Sequence, residues 1–217
     1  MFEVVESNGD ENQARKMSSY MRGIFKFLGI SKPKLNAIIT PFFKKIPRST
    51  KLDWQFIDLC WDKDYREAQY IAIAYIKRNK RLLDIEDLDK LQKLIVTKSW
   101  WETVDSIDEF IGVITLNNPE LKETMLRWSI SDNIWIRRVA IDFQQKYKDK
   151  TDVVLLEKII VNNLGSRDFF ISKSIGWILR DYSKVNPDWA LKFIEKYKSK
   201  LDRLSVKEAC KYLCKNA

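Results

Sequence analysis

The feature that most limits what this chain can fold into is a period. Tyr65, Trp100, Trp135 and Phe170 lie 35 residues apart, each just inside the start of a segment whose apolar residues keep helical spacing. A unit of that length holds two helices. One pair cannot bury its apolar face alone, so neighbouring pairs must stack into a continuous core. Only 6 Gly and 5 Pro occur in 217 residues, too few turn formers for a many-stranded sheet and well suited to helices.

Apolar spacing predicts helices near 12–29, 33–45, 52–61, 64–79, 84–97, 100–116, 119–129, 133–148, 152–163, 168–184, 188–199 and 204–215. Leu88, Leu91, Leu94 and Ile95 form one stripe; Trp189, Leu191, Ile194 and Tyr197 form a less regular one. Ser131-Asp132-Asn133, Asn118-Pro119-Glu120 and Asn186-Pro187-Asp188 each precede such a segment. They offer a capping side chain, or a proline where a first turn has spare N–H groups. The expected fold is all-α: one right-handed α-solenoid of about six HEAT-like helix pairs, a single domain over 1–217 with a concave basic cleft. Residues 1–11 are acidic and poorly periodic, and are expected to be shortened or poorly ordered.

Charge narrows the partners. Against 30 Asp and Glu stand 39 Lys and Arg, a net charge of +9 and a pI near 9.3. That balance favours an anionic partner, with nucleic acid first, although ordinary surface charge is the plainer reading. The 3 cysteines (Cys60, Cys210, Cys214) show no CxxC spacing, which argues against a disulfide framework or a structural zinc. Histidine is absent altogether, which removes Ser-His-Asp and Cys-His catalysis and histidine-held metals. No metal and no cofactor are expected. No apolar run is long enough to span a membrane and the N-terminus lacks a leader pattern, so a reducing, cytoplasmic setting is expected.

Candidate chemistry gathers around adjacent tryptophans. Trp100 and Trp101 cannot both face the core of one amphipathic helix, since neighbours point about 100° apart. Trp100 fits the repeat, which frees Trp101. Asp105 lies four residues on and shares its helix face. An aromatic plane beside a carboxylate suits a sugar or base that develops positive charge. Downstream, Lys173, Trp177 and Arg180 fall on one helix, with Gly176 beside them where a ligand backbone might come close. Bases interleaved with aromatics suit phosphate contact and stacking. Tryptophans at helical spacing are more often core, and that is the reading for Trp54, Trp61, Trp100, Trp128, Trp135 and Trp189.

Three stretches carry a family resemblance. Residues 95–101 with Val104-Asp105-Ser106, residues 131–135 with Arg138, and Phe169-Phe170-Ile171 with Gly176-Trp177 resemble, in order and spacing, the signature segments of the AlkD family of HEAT-like-repeat alkylpurine DNA glycosylases. The resemblance covers roughly residues 17–200. It implies that Trp101 and Trp177 wall a cleft around the lesion's deoxyribose, and that Asp105 stabilises an oxocarbenium-like sugar and positions the attacking water. It further implies that Arg138 holds the DNA backbone, that Lys173 and Arg180 meet phosphates, and that Tyr20 lies on a helix approaching the minor groove.

The implied activity is hydrolysis of the N-glycosidic bond of N3- or N7-alkylpurines in duplex DNA by a monomer. Such bases are already cationic and leave without a general acid, so the enzyme chiefly stabilises positive charge on the sugar. No lysine in the central constellation stands as a Schiff-base nucleophile, which points to hydrolysis without strand cleavage. Two alternatives stand beside it: an AlkD-like paralogue that binds DNA weakly without catalysis, favoured by the short N-terminus, and a protein-binding solenoid.

Overall fold

A computed structural model describes residues 1–47 and 49–213. Cys214, expected to share a helix face with Cys210, lies outside them. Among the described residues there are thirteen α-helices, three short 3₁₀ turns and no strand. No described helix is long and apolar enough to cross a membrane. The chain packs as two compact units, Met1–Leu83 and Asp84–Ala217.

The first unit holds α1 (Phe2–Glu6), α2 (Glu11–Tyr20), α3 (Lys32–Lys45), α4 (Trp54–Asp62) and α5 (Arg66–Arg78). Residues 1–11 do not form a featureless stretch: α1 packs against α3 and buries Val5. Asp10 then caps α2 by accepting from the N–H of Gln13. The helix expected over 12–29 stops at Tyr20, because Arg22 and Gly23 turn left-handed with φ of 58° and 72°. A non-helical segment follows, and its amides find an unusual partner. Glu67, fully buried, accepts from the N–H groups of Leu28, Gly29 and Ile30 at 3.0, 2.9 and 3.1 Å. A Cβ on Gly29 would fall 2.0 Å from the Asp10 carbonyl oxygen, so only glycine fits. Next to Glu67, Arg66 is also buried and lies over the Phe25 ring at 3.9 Å.

The second unit is a regular two-layer stack. It holds α6 (Leu88–Val96), α7 (Trp101–Asn117), α8 (Leu121–Trp128), α9 (Ile134–Asp142), α10 (Val153–Asn162), α11 (Phe169–Tyr182), α12 (Pro187–Tyr197) and α13 (Arg203–Leu213). Each first helix packs on its second (α6 on α7, α8 on α9), and the second helices α7, α9, α11 and α13 pack on one another in sequence. Asn133, Asp152, Asp168 and Asn186 all cap through side-chain oxygens. Asn118 does not: it donates back to the Ile114 carbonyl and closes α7, leaving α8 without a side-chain cap. The helix expected to run to 148 ends at Asp142, after which Lys146 and Lys148 adopt φ of 69° and 57°. In α12 the buried face is Ala190, Phe193 and Ile194, while Leu191 is half exposed to solvent.

The 35-residue period becomes contact geometry. The Trp100, Trp135 and Phe170 rings touch pairwise at centroid distances of 5.9, 5.3 and 4.8 Å, forming a seam across three repeats. These rings are half-buried, as are Trp54 and Trp189; Trp61 and Trp128 are core. Polar ties repeat the interval: the Lys146 amide donates to Asp181, the Tyr147 hydroxyl to the Gly112 carbonyl, and the Ser205 hydroxyl to the Ser172 carbonyl, 33 to 35 residues apart.

Candidate active site

Asp105 sits on α7, one turn after the half-buried Trp101 that opens the helix. From α9, Arg138 meets it face on, Nε to Oδ1 at 2.7 Å and Nη2 to Oδ2 at 2.9 Å. The third guanidinium nitrogen, Nη1, donates to the Phe170 carbonyl at 2.6 Å, at the start of α11. Three successive repeats therefore meet at one planar cation, in the two-pronged geometry that fixes a carboxylate most rigidly. The Arg138 guanidinium carbon lies 5.1 Å from the centre of the Trp177 ring on α11, and the Lys173 ammonium lies 5.7 Å from it. Asp105, Arg138, Lys173, Trp177 and Arg180 thus belong to one connected set in the second unit. Tyr20 closes α2 in the first unit, largely exposed, beside a cavity of about 270 Å³ lined by Lys16, Met17 and Tyr70.

Arg138, which the resemblance implied to hold the DNA backbone, has a side chain 2% exposed and places its donors on Asp105 and Phe170. Gly176 was read as room for a ligand. It is room for a helix: a Cβ there would fall 2.5 Å from the Glu208 Cβ and 2.8 Å from the Ser205 carbonyl oxygen. Glycine at that point lets α11 and α13 pack closely.

Behind the Asp105–Arg138 pair lie two carboxylates that the sequence reading did not single out. Asp108, one turn deeper on α7, and Asp142, one turn beyond Arg138 on α9, are both buried. Ligand oxygens of Asp105, Asp108 and Asp142 lie within 4.8 Å of one another. Asp142 accepts from the Ser174 hydroxyl at 2.5 Å and stands 4.0 Å from Arg138 Nη2. The only sequence signal was spacing: Asp105 to Asp108 and Arg138 to Asp142 each stay on one helix face.

Three carboxylates around one guanidinium cannot all stay ionised out of water. Burial raises the Asp105 carboxyl above its ordinary range, and the nearby Glu102 adds to this, while Arg138 opposes it. Burial, then the charges of Asp142 and Asp105, push Asp108 well above that range. Burial also raises Asp142, to about 6, against the pull of Arg138. The paired arginine favours the ionised form of Asp105, while burial and the neighbouring carboxylates favour the protonated form of Asp108. Such a donor set resembles a cation site, but Arg138 already supplies the countercharge among these oxygens.

A second cluster near Trp177 has the reverse balance of charge. Lys173 and Arg180 both reach Glu208 of α13, at 2.6 and 3.2 Å, and Lys211 reaches it at 2.6 Å. Glu208 is 3% exposed, and although burial raises its carboxyl, Lys173 and Lys211 hold it down at about 2. Its spacing from Lys173 is the repeat interval of 35, a signal the period contained. Trp177 thus neighbours both Arg138 of the carboxylate cluster and Lys173 of the cationic group.

The family described as DNA alkylation repair enzyme matches residues 2–213 of this chain. Among solved structures, a predicted DNA alkylation repair enzyme from Enterococcus faecalis is 33% identical, covering 95% of this chain and 97% of its own, with a TM-score of 0.86. AlkD2 from Streptococcus mutans is 17% identical, covering 84% of this chain and 99% of its own, with a TM-score of 0.58, a likeness of fold. Among curated proteins, none matches the sequence.

Proposed function

The chain belongs to the family of DNA alkylation repair enzymes, and we propose that it is a monofunctional glycosylase for cationic N3- and N7-alkylpurines in duplex DNA. The observation that carries this reading is the Asp105 carboxylate, clamped by a buried arginine in a cluster with more carboxylates than cations. A surplus of negative charge in a poorly solvated place stabilises a nearby cation far more than it would in water.

The chemistry follows. The C1′–N bond breaks, and its electron pair leaves with the purine, cancelling the positive charge of the alkylated base. Positive charge moves to the deoxyribose ring. Asp105 stabilises it, with the faces of Trp101 and Trp177 on either side in this reading. Water then adds at C1′ and gives its proton to Asp105 or to solvent. Arg138 acts as a positioning residue, holding Asp105 in one orientation. The reading needs neither metal nor cofactor and takes the enzyme to be a cytoplasmic monomer.

The test is release of free 7-methylguanine from methylated duplex DNA. We expect release by the native chain and a loss of about 10²–10³ in rate for Asp105→Asn, the scale for removing one preorganised charge contact. Normal release by Asp105→Asn would remove this residue from the mechanism. The closed Asp105–Arg138 pair favours a second reading, a DNA-binding member without excision, because both carboxylate oxygens are already engaged. A folded native chain that binds duplex and releases no base would establish that reading instead.

A further inference from the structure

We propose that Glu208 gathers Lys173, Arg180 and Lys211 into one phosphodiester-binding site, which makes the final helix α13 part of the DNA-binding surface. The identity of the anion rests on the reading above; the site itself rests on geometry.

Glu208 is buried, yet it is bound by three cations from two helices. A single carboxylate leaves that group with a net charge of +2. The donors are not used up either. Among the described residues, each lysine keeps two of its three N–H donors, and Arg180 keeps four of its five. The cations are reachable, their side chains 24%, 32% and 48% exposed, while the carboxylate beneath them is not. An approaching anion meets the ammonium and guanidinium groups first.

The packing is built for this arrangement. Glu208 can sit beneath α11 only because Gly176 has no side chain at the crossing. Ser205, one turn earlier on α13, donates to the Ser172 carbonyl at 2.7 Å and fixes the register of the two helices. Lys173 and Arg180 flank Trp177 along α11, so a phosphate held here would lie near the ring that Arg138 also approaches. A DNA strand carries a phosphate next to every sugar, so a cationic group near a carboxylate cluster fits one nucleotide's two opposite needs.

Two explanations of Glu208 predict opposite signs. If it organises the cations, losing its charge scatters them and weakens phosphate contact even though the chain becomes more basic. If it merely occupies them, losing its charge frees them and strengthens binding. The measurement is affinity for an undamaged duplex as a function of salt, with helical content followed by circular dichroism. For Glu208→Gln we expect a salt dependence shallower by about two phosphate contacts, and for the exposed Lys211→Gln one shallower by about one. A steeper dependence in Glu208→Gln overturns the proposal, as does an unchanged one. Should Glu208→Gln fail to fold, Lys211→Gln decides alone, and an unchanged slope there is fatal. Because no excision is read, the two proposals fail separately. A chain that releases no base but loses slope keeps this site, and one that releases base with an unaltered slope loses it.

Discussion

Each unit of the chain buries a charged group near the start of a long helix, and the two groups are treated in opposite ways. In the first, Glu67 is sealed: its two oxygens take three backbone N–H groups from residues 28–30. In the second, Asp105 is held by one arginine, remains partly exposed, and has two further carboxylates at its back. A buried carboxylate that exhausts its acceptors on backbone is a fastener, joining a non-helical segment to a helix. A carboxylate with surplus like charge behind it stores electrostatic tension that a passing cation can relieve. The two differ in burial and, more tellingly, in their partners.

The largest effect should come from removing the fastener. Glu67→Ala leaves three amides with no acceptor in a buried place, and we expect a loss of about 3–5 kcal/mol, read by denaturant unfolding. Asp105→Asn should cost clearly less stability, although it too strips a buried arginine of its partner. Asp142, 4.0 Å from Arg138, can ionise more fully and replace the lost charge. Equal losses for the two variants would erase the distinction between the units.

A smaller effect, of opposite sign, is expected at Asp108. Its folded-state carboxyl titrates well above the ordinary range, so its contribution to stability is present at acid pH and is lost as pH rises. Asp142 behaves alike between the ordinary value of 3.8 and about 6. Asp108→Asn keeps the shape of the protonated acid and removes the charge. Its melting temperature should exceed that of the native chain at pH 8, by about 2–4 °C for each kcal/mol relieved, and should match it near pH 4. A variant less stable than the native chain at pH 8 would show that Asp108 is not part of a surplus.

The smallest expected change lies in the seam. Trp135→Leu removes the ring that contacts both Trp100 and Phe170, worth about 1–3 kcal/mol for two aromatic contacts. Hydrogen exchange should quicken in α7, α9 and α11 and stay as it was in α4 and α5. Faster exchange in α4 and α5 as well would show that the units do not open independently.

Much of this was legible in the sequence because it is local. The caps at Asn133 and Asn186, the stripe of α6 and the shared face of Trp101 and Asp105 depend on spacings of two to four residues. The end of α2 was missed because Arg22 takes a left-handed conformation that its identity does not announce. Asp108 and Asp142 were missed because a carboxylate on a helix reads as solvated until its burial is known. Glu208 was missed although the period pointed to it. Lys173 and Glu208 obey the same interval as the aromatic residues. In a repeat fold the period is a map of contacts, and oppositely charged residues one period apart are candidates for pairing.

The absence of histidine gives the acidic cluster a practical meaning. Nearly all proteins take up protons around pH 6 through scattered imidazoles, which hide any single event. Here Asp142, inside the candidate site, is moved up to about 6. Calorimetric titrations of DNA into this protein, run near pH 6 in buffers of different ionisation heat, would therefore count protons gained or lost by one cluster. The chain carries its own silent background, against which the site can report its protonation without a label.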